Sequence, residues 1–177
     1  MPREYAMKMQ PRTSGRTLLG DEDVPPVFEK NTAGRSPFLL TSDHYGRLLP
    51  KALGDLGLPE RELERHIAWD IGIAGVAERL SDHLDAHLIA QRYSRLVVDC
   101  NRPIGAASSI PAFSEATAIP GNEGLSPEDG AARRREIFDP YHVRIDEAIN
   151  VRARDKRPTV LVSLHSFTPV YAGVARP

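Results

Sequence analysis

The stretch Ser94-Arg95-Leu96-Val97-Val98-Asp99-Cys100-Asn101-Arg102-Pro103 passes abruptly from an apolar run to polar and reactive side chains. Leu96, Val97 and Val98 predict a short interior strand, and Pro103 would end its ladder. In open α/β sheets, ligands bind beside the carboxyl ends of strands. At that end Arg102 offers a planar, permanently charged fork suited to a carboxylate, and Asn101 could help orient it. The competing reading is an Asp99–Arg102 ion pair that merely closes a loop. Cys100 is the only cysteine, which excludes an internal disulfide and suits a reducing, cytoplasmic setting. A small buried thiol is its simplest role.

Two more polar pairs follow strand-like runs. Phe38–Ser42 leads into Asp43-His44, and Thr159–Leu164 leads into His165-Ser166. If the three strands are parallel neighbours, all three ends share one rim of the sheet. Two neutral imidazoles and a carboxylate on a rim suit a borderline metal such as zinc. An open position at such a site would acidify a water for attack on a carbonyl. This is an amide-hydrolase layout. Taken singly, however, a histidine at a strand end is more often a hydrogen-bonded structural residue. Neither H-E-x-x-H nor C-x-x-C occurs. His66 and Asp70 are four apart, hence on one helix face. They could support a ligand, supply one, or cap the preceding turn. His142, after Pro140-Tyr141, could face the site. His83 and His87 read as surface residues, and Arg133, Arg134 and Arg135 as a solvated helix face.

The elements that must position these residues follow from periodicity and punctuation. Residues 1–36 carry Pro2, Pro11, Pro25 and Pro26, many charges and no regular period. They read as an extended or partly disordered leader, with Val24, Val27 and Phe28 packing onto a single domain over 37–177. Pro59 opens a short acidic helix. Ile71, Ile73, Ala74, Ala77 and Leu80 recur at helical spacing within a helix over 68–84, where Gly72 and Gly75 suggest a close neighbour. His87–Ala90 is a second strand, either hairpinned to the 94–103 strand or continuous with it. Residues 104–127 are too long for an idle loop and are expected to cover a site. Ser126-Pro127-Glu128-Asp129 is a helix start. The helix it opens would run to about Ala153, kinked or divided at Pro140, with Ile137, Val143, Ile145, Ala148 and Ile149 on its apolar face. The net charge of −1 gives no pointer to nucleic acid or an anionic membrane, and no apolar run is long enough to span a bilayer.

With these residues together, the chain resembles the N-formylglutamate amidohydrolase family. The resemblance is carried by Ser42-Asp43-His44-Tyr45-Gly46 through Pro50, Arg65-His66-Ile67-Ala68-Trp69-Asp70-Ile71-Gly72, Tyr93 through Pro103, Pro140-Tyr141-His142 and Leu164-His165-Ser166. It implies a fold similar to zinc carboxypeptidases and aspartoacylases, a three-layer α/β/α domain with a mixed, mostly parallel sheet. It also implies zinc-assisted hydrolysis of the N-acyl bond of an acidic amino acid. By resemblance His44 and His165 would be zinc ligands, and Asn101 and Arg102 would hold the substrate carboxylate. Asp43, His66, Asp99, His142 and Ser166 would stand behind them.

Two departures matter. The related motif His-x-x-Glu has Arg47 in its fourth position here, so the carboxylate ligand must come from elsewhere, and Asp70 is the candidate. The general-base glutamate of the family is expected beyond Pro177, so the chain reads as C-terminally shortened. Glu115 and Glu123, in the long 104–127 segment, are the candidate substitutes. A shortened chain is expected to bind zinc, to turn over slowly, and to expose an apolar sheet edge that favours a homo-oligomer. The alternatives are an amidase of the same fold acting on peptide or cell-wall amides, and a non-catalytic remnant that binds a carboxylate or a partner.

Overall fold

The computed structural model describes residues 17–171, 174 and 175. Its centre is a four-stranded sheet made of β1 (Val27–Lys30), β2 (Phe38–Ser42), β3 (His87–Gln91) and β6 (Val160–Ser163), in the order β1-β3-β2-β6. β2 runs parallel to both β3 and β6, while β1 pairs antiparallel with β3. The sheet is therefore mixed and mostly parallel. The first strand comes from the expected leader: Val27–Lys30 pairs with β3 and Leu18 is buried, so residues 17–36 are built into the domain. Apolar side chains at Val27 and Phe28 allow this despite the prolines, because an edge strand needs only one ladder.

Strand alternation divides the core into two layers. Leu39 and Ile89 face α4 (Asp139–Arg154), where they pack with Cys100, Tyr141 and Ala148. Leu40, Leu88 and Ala90 face α2 (Ile73–Leu84), packing with Ala77 and Ala86. A period of two sends neighbouring residues to opposite faces, and each face is covered by one helix.

α2 begins at Ile73, later than its apolar spacing suggested. Asp70 commits its backbone N–H to the His44 carbonyl at 3.0 Å, and Gly72 caps the helix with φ of 80°, which glycine adopts without a Cβ penalty. Ile71 is consequently exposed, and neither Gly72 nor Gly75 has a close neighbour where a Cβ would point. α1 (Glu60–Leu63) follows Pro59 as expected. Ser126 caps α3 (Pro127–Arg133), its hydroxyl accepting the Asp129 N–H at 3.1 Å. A π-helical turn, Arg134–Phe138, joins α3 to α4 without a break and accommodates Pro140, whose missing N–H leaves one backbone bond of the continuous helix unmade. Ile137 and Tyr141 thereby face the core, while Val143 turns outward.

The apolar run Leu96–Val98 is buried but is not a strand; residues 94–103 form consecutive turns. The pattern of a buried strand and that of a buried loop are alike, provided the loop's backbone is satisfied. Here side chains do that. Asn122 donates to the Leu96 carbonyl at 2.9 Å and Arg133 to the Val97 carbonyl at 3.0 Å. Arg133, expected on a solvated face, is 1% exposed, and its guanidinium also reaches Asn122 Oδ1 and the Gly121 carbonyl. His87 is likewise buried rather than superficial, bound to Glu29 at 2.7 Å, while His83 lies exposed. No described helix is long and apolar enough to cross a membrane.

Candidate metal centre

Register brings the two strand-end histidines together. Thr41 pairs with Ser163, so β2 and β6 end side by side, and the Leu164 N–H donates to the Thr41 carbonyl at 2.8 Å. Two residues beyond each strand end, the rings of His44 and His165 lie edge to face with centroids 5.1 Å apart. The bond from the Asp70 N–H to the His44 carbonyl brings the Asp70 carboxylate to the same point. One ligand atom from each of His44, Asp70 and His165 lies within 4.8 Å of the others. Two imidazoles and a carboxylate form a donor set that leaves a coordination position open.

His44 Nδ1 supplies the test of fit. It is fully buried and has no hydrogen-bond partner, although Asp70 Oδ1 is 3.4 Å away. The other ring nitrogen, Nε2, is 2.8 Å from Asp99 Oδ1. A carboxylate on one nitrogen fixes the tautomer that turns the lone pair of the other toward Asp70, as for a metal-ligating histidine. His165 differs in that both ring nitrogens are engaged: Nδ1 bonds Asp70 Oδ2 at 3.0 Å, and Nε2 bonds Ser163 Oγ at 3.1 Å with Asp43 Oδ2 3.4 Å away. Tyr141 donates its hydroxyl to Asp43 at 2.7 Å.

Without a metal, opposite charges dominate the site. Bonds to Asp43, then to Asp70, raise the His165 pKa to about 9, against partial burial. Burial would lower the pKa of His44, but Asp70 and Asp99 outweigh it and raise it. Burial works to raise Asp99 as well, yet the bond from His44 and the charges of His44 and Arg95 bring it down to about 2. Asp70 is held well below the usual carboxylate range, the bond from His165 and the adjacent His44 ring overcoming burial.

A cavity of about 260 Å³ opens over this cluster, lined by His44, His66, Asp70, Arg95, Asn101, Arg102, His165 and Ser166 among others. The turns after Asp99 carry Asn101 and Arg102 to its wall. Arg102 is half-exposed and 3.9 Å from Asp99, so the competing loop-closing pair is a long contact. Asp99 is engaged instead by His44, by the Asn101 N–H at 2.9 Å and by Arg95 at 2.8 Å. Ser166 donates its backbone N–H to Asp70 at 3.1 Å. His142 is elsewhere: its ring bonds the Cys100 carbonyl at 3.0 Å and packs on Phe138, so it supports the site loop from behind. Cys100 is buried, as expected, and burial pushes its thiol pKa up.

Arg95 is the residue that the motif reading passed over. Its guanidinium bridges Asp99 at 2.8 Å and Asp70 at 3.7 Å. Its place four residues before Asp99 was the available signal, but only the turns of this loop bring it back over both carboxylates.

Fold and site together define an open-sheet α/β protein whose strand ends gather a histidine–carboxylate cluster beneath a cationic cavity. The chain belongs to the N-formylglutamate amidohydrolase family, whose model matches residues 36–177. A crystal structure of gene product Atu2144 from Agrobacterium tumefaciens is 40% identical with a TM-score of 0.88, over 90% of this chain and 63% of that one. The N-formylglutamate amidohydrolase from Ralstonia eutropha JMP134 is 18% identical with a TM-score of 0.59, over 81% of this chain and 58% of that one, and shares the fold. This chain thus spans less than two thirds of the length of either structure. No curated protein matches the sequence.

Proposed function

We propose that this protein is a zinc-dependent amidohydrolase that removes the formyl group from N-formylglutamate or a closely similar N-acyl amino acid. The observation that carries the reading is the convergence of His44, Asp70 and His165 within 4.8 Å, in a cavity that also presents Arg102 and Asn101. Family membership supports the same reaction class.

His44, Asp70 and His165 would hold the ion. When bound, zinc would supply an acidified water and polarise the acyl oxygen. Arg102 grips a substrate carboxylate through its planar fork, and Asn101 orients that carboxylate. Asp99 accepts from His44 Nε2–H, fixing that ring in one tautomer, while Ser163 and Asp43 flank Nε2 of His165. The cavity wall keeps the amide beside the cluster, so that attack is effectively intramolecular.

Formate release from N-formylglutamate by the zinc-loaded chain tests the reading. Expected outcomes are stoichiometric zinc and turnover abolished by chelation. Zinc binding without turnover of any N-acyl amino acid would refute the enzymatic reading and leave a binding protein.

A further inference from the structure

We propose that Tyr141 is a positioning residue of the metal centre, acting on His165 through Asp43. The inference rests on the metal-dependent reading above and adds a residue that touches neither the cavity nor the cluster itself. Tyr141 sits on the buried face of α4, one helical turn after Ile137, and packs with Leu39, Ile89 and Cys100. A phenylalanine would serve that packing equally well. The hydroxyl nevertheless donates to Asp43 Oδ1 at 2.7 Å, in a buried bond that joins residues 98 apart in the chain.

Asp43 carries the effect of that bond to the site. Its other oxygen, Oδ2, lies 3.4 Å from His165 Nε2. At that distance the carboxylate acts through its charge, which needs no hydrogen-bond alignment. A carboxylate beside one nitrogen of an imidazole makes the ring a better donor to a metal. The opposite nitrogen, Nδ1, faces Asp70 Oδ2 at 3.0 Å, inside the cluster that would hold the ion.

The chemistry of the donor matters. Asp43 is buried, and a buried carboxylate without a donor is free to turn or to lose its charge by taking a proton. A phenol on a rigid, fully buried ring fixes the carboxylate while adding no charge of its own. A lysine or arginine in its place would cancel the field that Asp43 exerts on His165. Behind His44, the Asn101 N–H and Arg95 hold Asp99. Tyr141 has the corresponding place behind His165, so α4 is tied to the centre by this bond as well as by its apolar face.

The test measures zinc affinity by chelator competition in wild-type protein, Tyr141→Phe and Tyr93→Phe. Tyr93 is the control, because it is equally buried but its hydroxyl donates to the Val24 carbonyl at 2.8 Å. Both variants lose one buried hydroxyl bond and are expected to melt lower in chelator. Tyr141→Phe alone is expected to weaken zinc binding, by about tenfold, the lower end of the effect of partners behind a metal ligand. In an Asp43→Asn background the same substitution should cost no further affinity, since both changes act through one carboxylate. Unchanged affinity in Tyr141→Phe, equal losses in the two tyrosine variants, or additive losses with Asp43→Asn would each overturn the proposal. A second readout needs no variant fold. In fluorotyrosine-labelled wild-type protein, the fluorine resonance of Tyr141 should move on zinc loading while that of Tyr93 stays, and a stationary Tyr141 resonance would overturn the proposal too. If the wild-type protein binds no zinc, the metal reading fails and this proposal with it. If it binds zinc and Tyr141→Phe binds equally well, this proposal fails alone.

Discussion

Asp99→Asn should weaken zinc binding by one to two orders of magnitude while leaving the protein folded. Asp99 is 3% exposed and accepts from His44 Nε2 at 2.8 Å, so it holds the proton on Nε2 and leaves Nδ1 for the ion. An asparagine can present its amide nitrogen instead and stabilise the wrong tautomer. Loss of such a partner typically costs 10–100-fold in metal affinity, or about 1.4–2.8 kcal/mol. The cost to the fold can be gauged separately. Bringing a carboxyl from 3.8 to about 2 corresponds to about 2.5 kcal/mol in favour of its charged form. The bond to the Asn101 N–H survives the substitution, so about 2 kcal/mol of stability should be lost, or about 4–8 °C in Tm. Competition against a chromophoric chelator measures affinity, and thermal melts in chelator measure the fold. A folded variant whose zinc affinity stays within threefold of wild type would refute the role given to Asp99, and weaken the case for His44 as a ligand.

Zinc affinity should rise with pH. His165 in the metal-free protein has its pKa raised to about 9, so binding below that pH must displace a proton. Calorimetry should show affinity climbing at least about tenfold per pH unit below 9, since the His44 pKa is raised as well, and a flat profile would exclude His165 as a ligand. The same shift stabilises the metal-free fold fully below the unfolded histidine pKa of about 6.5 and is lost as pH rises through 9. Arg102→Lys should raise KM for N-formylglutamate with zinc content unchanged, because a point charge cannot replace the fork; loss of zinc in that variant would mark Arg102 as structural. Arg133→Met leaves the buried Val97 carbonyl and Asn122 Oδ1 without their donor. Relief of a buried charge offsets part of that, so a loss of about 2–4 kcal/mol is expected in denaturant unfolding, and an unchanged midpoint would refute the pinning role.

Much of this protein was legible along the chain because its signals are local. Strand alternation at Phe38–Ser42, the apolar run before His165, the cap at Ser126 and the proline at 140 each act within a few residues, and each appears in the structure as an element or its boundary. The candidate site residues stood out by type, since imidazoles after two strand-like runs, with carboxylate and guanidinium in nearby motifs, suggest few chemistries. The opening stretch shows where local reading stops. Leu96–Val98 has the composition of a strand, but its carbonyls are taken by Asn122 and Arg133 from distant segments. The same long-range pairing buried Arg133 and gave His87 a partner in Glu29. Only the parallel register of β2 against β6, set by the packing of both sheet faces, put His44 beside His165. Only the turns after Ser94 swung Arg95 over two carboxylates, and only the tertiary fold set Glu115 3.2 Å from His66. Sequence specifies which groups are present and how each segment prefers to fold; contacts between segments far apart in the chain decide which groups meet, because burial and hydrogen-bond satisfaction are properties of the whole fold.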